Sequence, residues 1–382
     1  VRERRAPTGL RRSLTVVAVG VAAIAAGVAV VALLRGVDAA SVVRGIVLFA
    51  RIPALLFLTG SLVATADDVR RLSLGFVVGG VALIGNGVYT TVTTGDERFT
   101  AATFGRNGFA IALLSVTIVG AGLAFATWRW PPTGRRAAIG LGTAAIAAAC
   151  LYGASATGTR MAFILLIIAA IGAAILHPRP ITRRAVARMA IVAATTAAVL
   201  AASVAFTVAG ARTVSVATDP GTTIDVVTDP GSLPSSSEIR TRGQFWDLAV
   251  QMARAEPLAG VGPFQWNVRR YVLDPEGPEI IVDAHNSYLQ IGAEYGLVTL
   301  GAYVLLLVVA LAIAGWWLIR SRARRIEIGW AGLSLAIAAF AYPLAELTNS
   351  HFFNVRMGGL GWLLIGATVA VATVSVRANA HD

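Results

Sequence analysis

Long apolar segments alternate with short polar ones along the whole chain. A helix needs about 20 apolar residues to cross the hydrocarbon core of a bilayer. Segments of that length predict ten membrane-spanning helices, at residues 14–34, 42–64, 72–93, 104–127, 137–153, 160–176, 187–209, 287–319, 326–346 and 353–375. The second is the least regular, because it contains Arg44 and Arg51. The pattern therefore predicts an all-α, polytopic transmembrane helical bundle.

The composition excludes the main alternative classes. Hydrophobic residues make up 56% of the chain and charged residues 14%, whereas charged residues are about a quarter of a soluble domain. The N-terminal arginines resemble the start of a signal peptide, but the apolar run that follows is too long for one, so we expect a first span there. The single cysteine, Cys150, lies in an apolar segment. It gives no disulfide framework and no thiol metal cluster.

The arginines predict how the chain is oriented. All 32 basic residues are arginine, and the net charge is +12. If the N-terminus is cytoplasmic, most arginines fall in the N-terminal tail and in the short turns after the even-numbered spans, as the positive-inside rule requires. The positive charge then reflects membrane topology, and no nucleic-acid partner is expected. Both termini are expected in the cytoplasm, the C-terminal one as a tail at 376–382.

One predicted connection on the outer side is long, at residues 210–286. It contains two Asp-Pro-Gly turns and a serine-rich stretch, followed by a predicted amphipathic helix at 238–255. The apolar face expected for this helix holds Ile239, Trp246, Ala249, Val250 and Ala253. Helices of this kind commonly lie on a membrane surface, so part of the loop is expected to act as a lid.

Several polar side chains lie at the predicted outer ends of the spans: Arg106, Asn107, Arg160, Arg242, His285, Asn286 and Arg356. A single outer arginine most often reaches to lipid headgroups, but several together favour an anionic ligand. Glu294 lies about nine residues into the eighth span, where an ionisable group is a functional candidate by default. Asn286, Gln290 and Glu294 form a stripe through their four-residue spacing. The alternative is that the stripe only hydrogen-bonds neighbouring helices.

Four motifs resemble those of the O-antigen ligase and O-antigen polymerase superfamily. The stretch from His285 to Val298 is similar to its signature, and the stretch from Arg242 to Phe264 is similar to the loop before it. Gly158-Thr159-Arg160 resembles the Ser-Arg element, with Thr in place of Ser. Residues 103–110 resemble the Phe-Gly-Asn-x-Asn element, with Arg106 replacing Asn or Pro.

The resemblance covers roughly residues 98–365 and implies a division of the chain. Residues 1–97 would be N-terminal transmembrane helices, and residues 98–375 would form the ligase-like transmembrane domain with its outer loop. Members of the superfamily often have about twelve spans, so the bundle is expected to contain from ten up to twelve.

The activity implied by the resemblance is glycosyl transfer at the outer face of the bacterial inner (plasma) membrane. The donor would be a glycan on undecaprenyl diphosphate, and the acceptor a hydroxyl of a glycan or lipid-linked sugar, within the membrane lipids. Such a reaction builds cell-envelope polysaccharide, including lipopolysaccharide.

The implied mechanism is metal-independent and inverting, without a cofactor. Arg160 and Arg242 would hold the diphosphate, because a guanidinium stays charged and grips phosphate oxygens in pairs. Arg242 is preferred to Arg240 because it lies four residues before Trp246. His285 would be the catalytic base, since a helix N-terminus disfavours imidazolium, with Asp283 capping that helix. Supporting residues would be Asn286, Tyr288, Glu294, Trp246, Arg106 and Asn107.

Two other functions stay open on the sequence. A polymerase of lipid-linked repeat units would use the same donor and differ only in its acceptor. A transporter or flippase of lipid-linked glycans would carry the same ligand, but transporters often show internal repeats and broken helices near the membrane midplane. We find no repeat between the halves, and the polar residues gather at one face. A purely structural scaffold leaves the outer arginines and His285 unexplained.

Overall fold

The computed structural model describes residues 8–63, 65–95, 99, 101, 105–127, 134–157, 159, 165–167, 169, 238–275, 283–322 and 329–379. Almost all of the sixth span predicted at 160–176, the whole of the seventh at 187–209 and the first part of the long loop lie outside these residues.

Every regular element in this part of the chain is helical. In chain order the helices are α1 (Thr8–Leu34), α2 (Ala39–Leu62), α3 (Ala66–Thr94), α4 (Gly105–Thr127), α5 (Gly134–Ala156), α6 (Glu238–Ala255), α7 (Trp266–Leu273), α8 (Ser287–Arg322), α9 (Gly329–Glu346), the 3₁₀ helix η1 (His351–Phe353) and α10 (Val355–Asn379). The all-α prediction is confirmed, and each of the eight predicted spans that the structure describes has its helix.

Seven of these helices are long and apolar enough to cross a membrane: α1 to α5, α8 and α10. The remaining predicted span, α9, is buried along most of its 18 residues. It contacts α4 and α10 along its length. The chain is therefore a multi-pass membrane protein with α9 in the interior of the bundle.

One end of the bundle collects the polar contacts, and we call it the His285 end. Arg35, just after α1, pairs with Glu256, just after α6, at 3.1 Å. Phe99, between α3 and α4, donates from its backbone N–H to the carbonyl of Ala156 at the end of α5 (3.3 Å). The start of α8 and the turn between α9 and α10 meet at the same end, where Ser287 Oγ donates to the carbonyl of Asn349 (3.1 Å).

Helix α8 is broken at Gly296, whose φ of 79° and ψ of 167° lie outside any helical region. In a straight helix Tyr288 and Tyr303 would be separated by about 22 Å along the axis, yet their ring centroids are 6.2 Å apart. The two halves of α8 therefore bend towards each other at Gly296. The span predicted at 287–319 is present, and the break inside it was not predicted from the sequence.

The segment between α6 and α7 bonds to the backbone groups that this break exposes. The N–H groups of Val261 and Gly262 donate to the carbonyls of Ala293 and Glu294, at 2.9 and 3.0 Å. In return, the N–H of Leu297 donates to the carbonyl of Pro257 (2.7 Å). Unpaired backbone groups are costly away from water, so the break and the inserted segment stabilise each other.

Helix α6 covers the start of α8, and Ala249 of its predicted apolar face is among the residues buried there. Its buried side chains are Phe245, Leu248, Ala249 and Met252, which pack against Trp266, Ala284 and Ala293. Trp246, also on the predicted apolar face, is 38% exposed. Phe245 and Met252 are spaced as i and i+7, so the helix has a second apolar stripe. This stripe is the one that packs on the loop and on α8.

Arg51 lies in the middle of α2, where the sequence analysis marked the span as irregular. It donates to the carbonyls of Phe352 and Val355, the latter at 3.2 Å, and its guanidinium lies over the Phe352 ring, 4.9 Å from the centroid. A charged side chain inside a membrane bundle needs partners of this kind. Arg51 therefore fixes the turn between α9 and α10 against α2.

Candidate active site at the His285 end

His285 lies two residues before α8, in a segment shaped by Asp283. An Asp283 carboxylate oxygen, Oδ1, accepts the backbone N–H of His285 at 2.7 Å and lies 3.2 Å from the ring Nδ1 of the same residue. Asp283 was expected to cap α8, and this is wrong. The cap is Asn286, whose Oδ1 accepts the N–H of Leu289 at 3.1 Å.

The backbone at this point is strained. His285 has a φ of 49° and Phe264 a φ of 56°, and these are the two non-glycine residues with positive φ among those described. A side chain in the left-handed region costs about 1–3 kcal/mol and persists only where its surroundings impose it. Both residues lie in the segments that cover the start of α8, and strain of this kind concentrates at functional sites.

The imidazole of His285 is held on one side and open on the other. Its side chain is 35% exposed, and the Phe245 ring lies 5.9 Å away, centroid to centroid. The carboxylate beside Nδ1 favours a proton on that nitrogen. Nε2 then carries the lone pair, so this ring nitrogen is able to accept a proton from a substrate.

Arg242 lies on α6, the helix whose Phe245 ring is next to the His285 ring. It precedes Phe245 by three residues, so the two side chains share a face of the helix. Trp246 lies next to this face with more than a third of its surface exposed. The choice of Arg242 over Arg240 stays a prediction.

The motif at residues 103–110 contacts the motif at residues 158–160 through Asn107, in the first turn of α4. Its Nδ2 donates to Oδ1 of Asn349 (2.6 Å), and its own Oδ1 accepts the hydroxyl of Thr159 (3.1 Å). Thr159 directly precedes Arg160. Arg160 lies outside the described residues, as does the side chain of Arg106, so their predicted roles remain predictions.

The turn between α9 and α10 is the part of the site that the sequence analysis missed. Asn286 Nδ2 donates to the carbonyl of Leu347 (3.0 Å), and the hydroxyl of Ser287 accepts the N–H of Phe352 (3.1 Å). With Asn349, these bonds join the turn to both α4 and α8. Arginines at the outer ends of the spans indicated most of the candidate site residues. Residues 347–354 contain no arginine, so the sequence did not indicate this turn.

Glu294 is fully buried and organises the loop instead of lining the surface. Its carboxylate accepts the N–H of Phe264 (2.8 Å), the N–H of Trp266 (3.3 Å) and the Nε2 amide of Gln290 (3.3 Å). These contacts fit the structural interpretation of the polar stripe, in which Glu294 positions the loop beside His285.

Two further features complete the site. Tyr288 donates its hydroxyl to the carbonyl of Pro343 (2.9 Å) and so links α8 to α9. Burial lowers the pKa of His351 from 6.5 to about 4, and nearby His285 contributes to the shift. Within the described part of the chain, no three His, Cys, Asp or Glu side chains are grouped closely enough to hold a metal ion.

Comparison with known protein families identifies this region. The family model described as O-antigen ligase matches residues 145–304. Over these residues the chain is similar to the O-antigen ligase family. The match confirms the resemblance for the three motifs inside it, at residues 158–160, 242–264 and 285–298. Together with the long apolar helices, it indicates a multi-pass membrane protein. No curated protein matches the chain.

The matched stretch does not contain the whole polar site. It includes Arg160, Arg242 and the segment from Asp283 to Glu294, whereas Asn107 and the turn at 347–354 lie outside it. Asn349 nevertheless bonds both Asn107 and Ser287. The His285 end is therefore built by the matched residues together with helices that flank them.

Proposed function

We propose that this protein transfers a glycan from undecaprenyl diphosphate to a hydroxyl acceptor at the outer face of the bacterial plasma membrane. The observation that supports this most directly is the pairing of Asp283 with the ring of His285 on strained backbone, within the O-antigen ligase match. The arginine distribution supports the orientation, with both termini cytoplasmic and the His285 end outside.

In the proposed reaction, an acceptor hydroxyl oxygen attacks the anomeric carbon of the donor sugar. Nε2 of His285 takes the hydroxyl proton while Asp283 stabilises the imidazolium that forms. The bond between the anomeric carbon and the diphosphate oxygen breaks, and undecaprenyl diphosphate leaves with its electron pair. Because the attack is direct, the anomeric configuration is inverted.

The leaving diphosphate requires positive charge, which we assign to Arg160 and Arg242. Guanidinium groups grip phosphate oxygens in pairs and need no metal to do so. Support for this pairing comes from the neighbours of each residue: Arg242 shares a helix face with Phe245, and Thr159 bonds Asn107 inside the site. The exposed Trp246 and the lipid surroundings would guide the polyprenyl chain.

A decisive experiment follows undecaprenyl diphosphate release from purified protein in liposomes. The donor is lipid-linked glycan extracted from cells that lack this protein, and the same cells provide membranes that carry the unmodified acceptor. We expect release to persist in EDTA, to fall at least 100-fold in His285→Ala, and to remain in the matched control His177→Ala. Product size separates a ligase from a polymerase of repeat units, and the anomeric configuration of the product tests inversion.

Each part of the proposal has an outcome that contradicts it. Full activity of His285→Ala removes the base assignment. Activity that is lost in EDTA and restored by a divalent cation removes metal independence. If the wild type releases no undecaprenyl diphosphate from its natural donor and acceptor membranes, transfer is wrong, and a flipping assay in the same liposomes tests the transporter.

A further inference from the structure

His351 is a second histidine at the His285 end, and the transfer mechanism above does not use it. It is only 5% exposed. Its Nε2 and the hydroxyl of the preceding Ser350, also buried, have no hydrogen-bond partner among the described residues. A buried polar atom without a partner costs about 1–3 kcal/mol, and native structures contain few of them. Two such atoms on adjacent residues are therefore unusual.

The position of His351 places these atoms at the site. Its Nδ1 lies 3.8 Å from the point where a Cβ on Gly108 would be, next to Asn107 at the start of α4. His285 is close enough to act on its charge state. The 3₁₀ helix that carries it is fixed from two sides, by Ser287, which accepts the N–H of Phe352, and by Arg51, which donates to the carbonyl of Phe352.

The polar groups around His351 differ from those expected around the diphosphate. Burial keeps the His351 imidazole neutral at physiological pH, so it offers one donor and one acceptor but no charge. The amides of Asn107 and Asn349, which bond each other beside it, are likewise neutral, while the guanidinium of Arg51 is directed at the carbonyls of Phe352 and Val355. Neutral donors and acceptors at fixed positions suit hydroxyl groups better than they suit phosphate oxygens.

We propose that His351 and Ser350 form a binding subsite for sugar hydroxyl groups beside His285. This inference rests on the proposed transferase function. The hydroxyl groups belong either to the donor glycan or to the acceptor glycan, and both would present the same chemistry to His351. In either case His351 binds sugar and does not take the proton that His285 removes.

A binding experiment tests the donor as the source. In the His285→Ala protein, which holds its substrates without turnover, we would measure dissociation constants for undecaprenyl diphosphate and for the lipid-linked glycan extracted from cells that lack the protein. Adding His351→Phe should weaken binding of the lipid-linked glycan about tenfold and change binding of bare undecaprenyl diphosphate less than twofold. His351→Gln should restore part of the loss, and Val355→Ala, exposed at the start of α10, should have no effect.

A turnover experiment tests the acceptor as the source. With His285 intact, membranes from cells that lack the protein are titrated as the acceptor. His351→Phe should then raise the apparent KM for these membranes about tenfold while binding of the donor stays unchanged.

A selective loss in either experiment supports the subsite. Unchanged behaviour in both overturns it, and so does an equal loss of undecaprenyl diphosphate and glycan binding, which would indicate a structural role. If the wild type shows no turnover, the proposed transfer fails, while the binding experiment still decides whether His351 contacts sugar.

Discussion

The break in α8 gives the sharpest test of how this site is built. Gly296 has a φ of 79° and a ψ of 167°, a region of backbone space that is essentially restricted to glycine. A Cβ at this position would lie 2.2 Å from the carbonyl oxygen of Leu258. That oxygen belongs to the segment bonded to the broken helix, and a backbone atom cannot rotate away as a flexible side chain can.

We therefore expect Gly296→Ala to destabilise the protein by about 2–6 kcal/mol. The backbone conformation accounts for about 1–3 kcal/mol, and the forced shift of a packed segment adds a similar amount. Gly301→Ala is the matched control in the same helix, since a Cβ there meets no described atom within 4 Å. On a helical backbone, alanine in place of glycine should stabilise by about 0.5–1 kcal/mol.

A thiol-reactive dye provides the assay, because Cys150 is the single cysteine of the chain and is fully buried between helices. Labelling on heating in detergent reports unfolding, and the two variants should shift the midpoint in opposite directions. Release of undecaprenyl diphosphate should also be lost in Gly296→Ala at temperatures where it remains folded. If the two substitutions have the same midpoint and the same activity, the break does not position the loop and our reasoning is wrong.

Three other changes test individual contacts. Asp283→Asn should keep the acceptor for the His285 N–H but remove the charge beside Nδ1, so transfer should slow about 10- to 100-fold with an unchanged unfolding midpoint; an unchanged rate would contradict the pairing. Glu294→Gln places an amide nitrogen against a backbone donor in a buried site, and dye labelling should show destabilisation of about 2–4 kcal/mol. Burial lowers the pKa of His351 to about 4 in the folded protein, from an ordinary value of 6.5. Between these two pH values the unfolded chain binds more protons than the folded one, so stability should fall as the pH drops from 6.5 to 4. His351→Phe should lose this part of the pH dependence, and an identical profile would refute the burial argument.

The spans were predictable because a bilayer fixes their length, whatever the details of packing. Windows of apolar residues therefore located α1 to α5 and α8 to α10. The break at Gly296 was not predictable, since Gly296 and Gly301 look alike in sequence. The two differ only because the chain near Leu258 returns to approach Gly296, a contact between residues distant in sequence.

The site was predictable where polar residues interrupt apolar segments and unpredictable where partners come from elsewhere. His285, Asn286 and Asn107 were found in this way, and Arg242 was preferred for its place on α6. Asn349 was not found, although it bonds Asn107 across the bundle. Nothing local to residue 349 indicates that contact. The face of α6 that packs on α8, with Phe245 and Met252, has the same cause, since its partners Trp266 and Ala293 are distant in sequence.

The way the broken helix is satisfied bears on the choice between transfer and transport. In transporters, unwound helices leave backbone carbonyls free to coordinate the substrate or ion. Here the carbonyls of Ala293 and Glu294 accept N–H groups from the protein's own loop, and the Glu294 carboxylate accepts two more from the same loop. Backbone carbonyls that would coordinate the substrate in a transporter here bind the segment between α6 and α7 and fix it over the start of α8. Irregular backbone inside a membrane bundle is tolerated only where protein or a polar cavity satisfies it. A break used in this way holds Phe264 and the loop beside His285, which favours chemistry at one face of the membrane over passage across it.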